Sequence, residues 1–202
     1  MSKSNPPEEL DGRRLRSERS KQAIIDASLA LMEEGNLIPT AQQISDQAGV
    51  GIRSFFRHFE DMETLFATLN EQTRESTEAL FLGGDRGGTL EDRILHLIER
   101  RGEGYEDKRN MVLSTSAQLW RSETLRKNYG RYQRGLRKDL DDWLPELKQL
   151  TRSEREAVDA IASFEMWHRL RYHQGLGKQA TIDALAGLLN TILKARAQPP
   201  EA

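Results

Sequence analysis

Residues 40–59 read TAQQISDQAGVGIRSFFRHF. Thr40 with Gln43 three residues on is a capping box, so a helix opens there. It turns Ala41, Ile44 and Ala48 inward and stops at Gly49. After Gly49-Val50-Gly51 a third short helix runs to about Phe59. Two short helices joined by a tight glycine turn make a helix-turn-helix, the unit that sets its second helix into a major groove. Projected at about 100° per residue from Ile52, Phe55, Phe56 and Phe59 fall within about 60° of it. Arg53, Arg57 and Ser54 fall at about 100°, 140° and 200°. The aromatic side is expected to pack on neighbouring helices, leaving two guanidinium groups and a hydroxyl for guanine edges and phosphates. Spacing alone also fits a plain helical hairpin with a solvated basic face.

Outward from this segment the chain stays helical. Upstream, Ile24, Ala27, Ser28, Leu31 and Met32 share one side of a helix that starts near Ser17 and ends at Gly35-Asn36. Residues 1–12, with Pro6-Pro7 and acidic side chains, read as a disordered leader. Between them Arg13, Arg14, Arg16, Arg19 and Lys21 stand against Glu18 alone, a local positive run beside the first helix. Downstream, Glu60-Asp61 begins a fourth helix through Met62, Leu65, Phe66 and Leu69, and Leu82–Gly88 is the clearest linker. Thr89 with Asp92 restarts a helix whose end Gly102 and Gly104 weaken. Further helices are expected over about 109–121, 123–143, 153–173 (capped by Ser153 and Glu156) and 178–197. No alternating Val/Ile run suggests a strand. The fold class is all-α with about nine helices, divided into a leader (1–12), a helix-turn-helix domain (13–66) and a larger helical domain (67–198).

Composition narrows the classes. The chain has 202 residues, a net charge of −2, 31% charged residues and no cysteine. Disulfides, thiolate metal sites and cysteine nucleophiles are thereby removed. No stretch of about 18 apolar residues suggests a membrane span, and no apolar run follows the basic N-terminal residues as in a secretory signal. A cytoplasmic location, with no membrane partner, is the expectation.

Gly49-Val50-Gly51-Ile52-Arg53-Ser54-Phe55-Phe56-Arg57-His58-Phe59, followed by Asp61-Met62-Glu63-Thr64-Leu65-Phe66, resembles the TetR family of bacterial transcriptional regulators. The family pattern there is G-V-S-x-x-T-L-Y-x-H-F, then S-K-E-x-L. Ala23–Ser28 and Glu34-Gly35 also look like that family's first helix, so the resemblance covers about 17–66. It implies DNA contacts from Thr40, Gln42, Gly51, Arg53, Ser54, Phe56, Arg57 and His58, with Thr40 capping its helix against a phosphate. Where many members carry a phosphate-bonding tyrosine this chain has Phe56, and where many carry a lysine it has Met62. Arg13, Arg14 and Arg16 are candidates to touch the backbone in compensation.

A single small helix-turn-helix reads few base pairs, so such units are usually paired by two-fold symmetry. The last two helices carry apolar stripes, and the resemblance implies that they join two copies in a four-helix bundle. Ile161, Phe164, His168, Leu185, Leu188, Leu189 and Ile192 are the expected seam. It also implies a central pocket for a small-molecule effector, with Tyr105, Met111, Leu119, Trp120, Tyr132, Phe164 and Trp167 as candidate walls. Residues of these types at helical spacing also suit an ordinary core. The expected protein is a homodimeric, ligand-released repressor on an inverted-repeat operator. Two rivals are a helical interaction protein with a vestigial helix-turn-helix and a helical metalloenzyme. Glu165-x-x-His168 has the spacing of half a di-iron site, but no second Glu-x-x-His stands elsewhere. No catalytic residue, metal or cofactor is expected.

Overall fold

The computed structural model describes residues 7–81 and 83–197, with side chains over 12–79 and 83–195. It is 81% helical, without a strand among the described residues. Ten α-helices follow one another within them: α1 (Pro7–Glu33), α2 (Ala41–Gln47), α3 (Ile52–His58), α4 (Met62–Phe81), α5 (Leu90–Asp107), α6 (Arg109–Gln118), α7 (Glu123–Trp143), α8 (Arg152–Ile161), α9 (Phe164–His168) and α10 (Lys178–Ala197). A 3₁₀ turn covers Pro145–Gln149 and a π turn Arg169–His173.

Local chemistry explains most boundaries. The Thr40 hydroxyl accepts from the Gln43 N–H at 3.2 Å while the Thr40 N–H donates to the Gln43 side chain at 2.9 Å, closing the expected box. Thr89 and Asp92 do the same for α5. At the end of α2, Val50 N–H reaches the Ser45 carbonyl (3.0 Å) and Gly49 N–H the Asp46 carbonyl (3.2 Å). This is a Schellman ending, for which Gly49 takes φ +64°.

Three expectations need correction. The leader is helical from Pro7, because proline suits a first helical position and Arg13-Arg14-Leu15-Arg16 are good helix formers; residues 1–6 lie outside the described residues. The stretch 153–173 is not one helix. Ser163 accepts from the Met166 N–H at 3.3 Å and starts α9 afresh. The cap of α8 is Thr151 with Glu154, not Ser153 with Glu156.

The chain forms two units that are not the consecutive stretches expected. One holds residues up to Thr73 together with Arg109–Tyr129; the other holds Arg74–Lys108 and Gly130 onward. In the first, Ile24, Ile25 and Met32 of α1 close around Ile44, Phe55, Phe59, Leu65, Phe66 and Leu69, joined by Leu125 of α7. The second half of the chain enters this unit through polar side chains. Asn110 donates to the Glu33 carbonyl (2.9 Å), Ser114 to the Leu37 carbonyl (2.7 Å) and Gln118 to the same oxygen (3.2 Å). These bonds satisfy carbonyls at the end of α1 and in the loop after it, where helical partners run out.

In the second unit α10 lies along α5 and α8. Gly102 does not weaken α5: a Cβ there would stand 2.3 Å from the Trp167 ring, so the glycine is what lets that indole seat. Arg101, almost fully buried, donates to the Ala162 and Leu136 carbonyls at 3.1 and 2.6 Å. The glycine-rich 83–88 stretch is a pinned loop, with Arg86 bonded to buried Asp139 at 2.8 Å and lying over Trp143.

Candidate nucleic-acid interface

The helix α3 divides its side chains as its period dictates, with one exception. Phe55 and Phe59 are 0% and 1% exposed, and Arg53 and Arg57 are open to solvent. Phe56 is 53% exposed, although the projection from Ile52 sets it among the inward aromatics. The buried wedge is centred between Phe55 and Phe59, and Phe56 lies on its far edge, only about 60° from Arg53. Phe56 thereby adds a phenyl ring to the outward face.

That face has a definite structure. The Arg57 guanidinium donates to the Ser54 hydroxyl at 2.8 Å, so the two groups act as one polar edge. Gly51 caps α3 with extended backbone (φ −68°, ψ 147°) and offers no side-chain bond to the first turn. On α2, Thr40 and Gln42 are exposed, and Gln42 donates to Asp46 at 2.8 Å. His58, at the end of α3, is half-buried and its Nε2 has no hydrogen-bond partner. Burial holds its pKa below the ordinary imidazole value, helped by the nearby charges of Arg57 and Lys21 and opposed by Glu18. Those influences place the Glu18–Lys21 turn of α1 beside the end of α3. Arg13, Arg14 and Arg16 continue up α1 from there, all exposed, with Arg16 Nε donating to the Gly12 carbonyl at 3.1 Å. The first unit therefore carries every side chain expected to meet DNA, and the Glu18–Lys21 turn of α1 lies near the end of α3.

The candidate pocket residues divide between the two units. Met111, Leu119 and Trp120 belong to the first unit, and Tyr105, Tyr132, Phe164 and Trp167 to the second. Leu119 packs on the first unit's core, while Trp120 is 79% exposed at the turn after α6 and walls no interior. Tyr105, Phe164 and Trp167 are packed edge-on and tilted at 5.7 and 6.5 Å, an aromatic core more than a hollow. The Tyr105 hydroxyl donates to the Ala162 carbonyl at 2.8 Å, and burial pushes its pKa up to about 12.

The residues expected at a dimer seam differ in burial within the single chain. Ile161, Phe164, Leu185 and Leu189 are buried inside the second unit, because α10 spends its broad stripe on α5 and α8. Leu188, 48% exposed, and the partly open Ile192 and His168 are what remain at the surface. His168 stacks between Phe164 and Tyr172 at 5.4 and 4.9 Å. Among the described residues no three His, Cys, Asp or Glu side chains converge as metal ligands. No helix among them is long and apolar enough to cross a membrane.

Sequence reasoning missed Asn110, Ser114 and Gln118. Their acceptors are main-chain carbonyls, which have no sequence signature, and no apolar periodicity along α6 marks the buried Ser114 and Gln118 as inward-facing.

Comparison with known proteins agrees with this geometry. Residues 24–69 match the family model of bacterial regulatory proteins, tetR family. No curated protein sequence matches the chain. Among solved structures, a transcriptional regulator from Rhodococcus sp. Rha1 superposes with a TM-score of 0.64 at 16% identity, over 91% of this chain and 99% of that one. A transcriptional regulator of the TerR/AcrR family from Aquifex aeolicus VF5 gives 0.56 at 20% identity, over 86% and 99%. The multidrug binding protein EbrR, complexed with imidazole, gives 0.58 at 17%, over 89% and 91%. At these identities the structural likeness shows a shared fold.

Proposed function

We propose that this chain, whose residues 24–69 match the family model of bacterial regulatory proteins, tetR family, is a repressor of that family and binds an inverted-repeat operator as a homodimer. The observation that carries the reading is the division of α3: Phe55 and Phe59 fully inside, Arg53 and Arg57 fully outside. A helix so divided is braced against its own domain while its guanidinium groups face a partner rich in acceptors and negative charge. The exposed arginines of α1, on the helix whose Glu18–Lys21 turn lies near the end of α3, add positive charge that suits a phosphate backbone. Such a partner places the protein with the chromosome, in the cytoplasm.

Repression follows from occupancy, since a dimer seated on a promoter excludes other proteins. Release by a small molecule requires only a coupling of about 1–3 kcal/mol between the two units. One structural neighbour is a multidrug binding protein, which supports a small-molecule effector for this chain too.

The test is selection of bound sequences from a random double-stranded DNA pool with the full-length protein. Recovery of an inverted repeat supports the reading. Recovery of no enriched sequence overturns it and favours a helical interaction protein that has kept the shape without its use.

A further inference from the structure

We infer that Phe56 reads the 5-methyl group of a thymine in each operator half-site, making it a specificity-determining residue in place of a phosphate anchor. The inference rests on the DNA-binding reading above and goes further, by naming the chemical feature that one side chain recognises.

Three observations carry it. First, α3 has three phenyl rings and buries only two; Phe56 stays 53% exposed beside Phe55 and Phe59 at 0% and 1%. Second, the exposed ring is held in place. Its centroid lies 5.3 Å from that of Phe55 at 76°, an edge-to-face contact with a fully buried side chain. Third, Arg53, Phe56 and Arg57 stand at i, i+3 and i+4, so the phenyl lies on the same stripe as both exposed guanidinium groups.

A surface that combines two cations with a rigid apolar disc needs a partner offering acceptors and an apolar group within a few ångströms of one another. Isolated apolar residues on a surface are ordinary, but this one is fixed between charges on the face that meets the ligand. In the major groove the acceptors are guanine O6 and N7 and the phosphates, and the apolar feature is the thymine C5-methyl. The phenyl has no hydroxyl, so it cannot bond a phosphate oxygen, and its edge has only van der Waals surface to offer. Covering one methyl removes about as much apolar surface from water as one methylene, worth roughly a fourfold change in binding per half-site and about fifteenfold for two.

The experiment uses the full-length protein and the duplex it recovers from a random pool. Each thymine is replaced in turn by deoxyuridine, which removes the methyl and leaves every hydrogen-bonding edge intact. The expected result is one thymine position per half-site at which the replacement weakens binding about fourfold, or about fifteenfold when both half-sites are altered. With Phe56→Ala that same replacement has no effect, while the salt dependence matches that of the parent protein because no phosphate contact has been removed. Thermal unfolding of the variant checks that the exposed position leaves the fold intact. The inference is overturned if binding is indifferent to deoxyuridine at every position, if the sensitive position is equally sensitive in Phe56→Ala, or if the half-sites contain no thymine. Recovery of no operator at all removes the DNA-binding reading as well. A recovered operator without methyl dependence removes this inference alone.

Discussion

His58 ends α3 with its Nε2 buried and unbonded, next to two cations, Arg57 and Lys21. Burial is the first reason its imidazole resists a proton and the neighbouring charges are the second; Glu18 opposes both. The unfolded chain has no such environment, so it takes up a proton at the ordinary value near 6.5 while the folded protein still declines one. This histidine's contribution to stability is therefore full above that value, falls as the pH drops below it, and levels off once the folded-state imidazole is itself protonated. Replacing His58 by Gln should remove that part of the pH dependence. Urea midpoints measured between about pH 5 and 7.5 should decline less steeply for His58→Gln than for the parent. Parallel curves would show that the imidazole is not disfavoured in the fold. The same residue bears on DNA binding, since a phosphate approaching the end of α3 would pull the proton back on.

At the scale of elements, the turn between α2 and α3 contains two glycines with opposite requirements. Gly49 has φ +64°, and a Cβ at that position would meet nothing within 4 Å, so its need for glycine is conformational and not steric. Gly51 is in extended backbone, equally open, and caps α3 without a side chain to bond its first turn. Gly49→Ala should therefore cost about 1 kcal/mol or slightly more, the left-handed penalty of an L-residue. Gly51→Ser should add stability of roughly a few tenths of a kcal/mol by supplying the missing cap acceptor. Paired thermal melts should shift in opposite directions, and a shared sign would contradict this account of the turn. Elements of this kind are legible in sequence, because their determinants lie within a few residues: a capping box at Thr40 and Gln43, a stop at Gly49, a period of 3.6 from Ile52. The break at Ser163 is less so, since the apolar stripe runs through it and a serine can sit inside a helix or start a new one. The projection misplaces Phe56 for a related reason: it gives an angle, but the direction of the core depends on which neighbours α3 finds.

At the scale of the whole molecule, the division into units is not legible, because Asn110, Ser114 and Gln118 bring α6 to the first unit by bonding carbonyls about eighty residues away in sequence. Main-chain acceptors look alike in every sequence. Burial in the second unit has a similar effect on the question of pairing. The stripe on α10 is strong, yet Ile182, Leu185, Leu189 and Leu193 are 0–3% exposed in the single chain, so they hold the protomer together and are not available to a partner. What α10 leaves open is Leu188, flanked along the helix by Ala184, Gly187 and Thr191, whose small side chains let a second helix come close. Under two-fold symmetry Leu188 of each copy faces the same patch of the other, and covering the half of each such leucine that is still open is worth about 1 kcal/mol. Leu188→Glu should then sediment as a monomer while melting close to the parent, because about half of the side chain lies open in its own protomer. Operator binding should fall by about a hundredfold or more, since two half-sites held by one dimer gain from effective concentration and two separate monomers do not. A Leu188→Glu protein that remains dimeric and binds its operator unchanged would remove α10 as the pairing surface and direct the search to another face of the molecule.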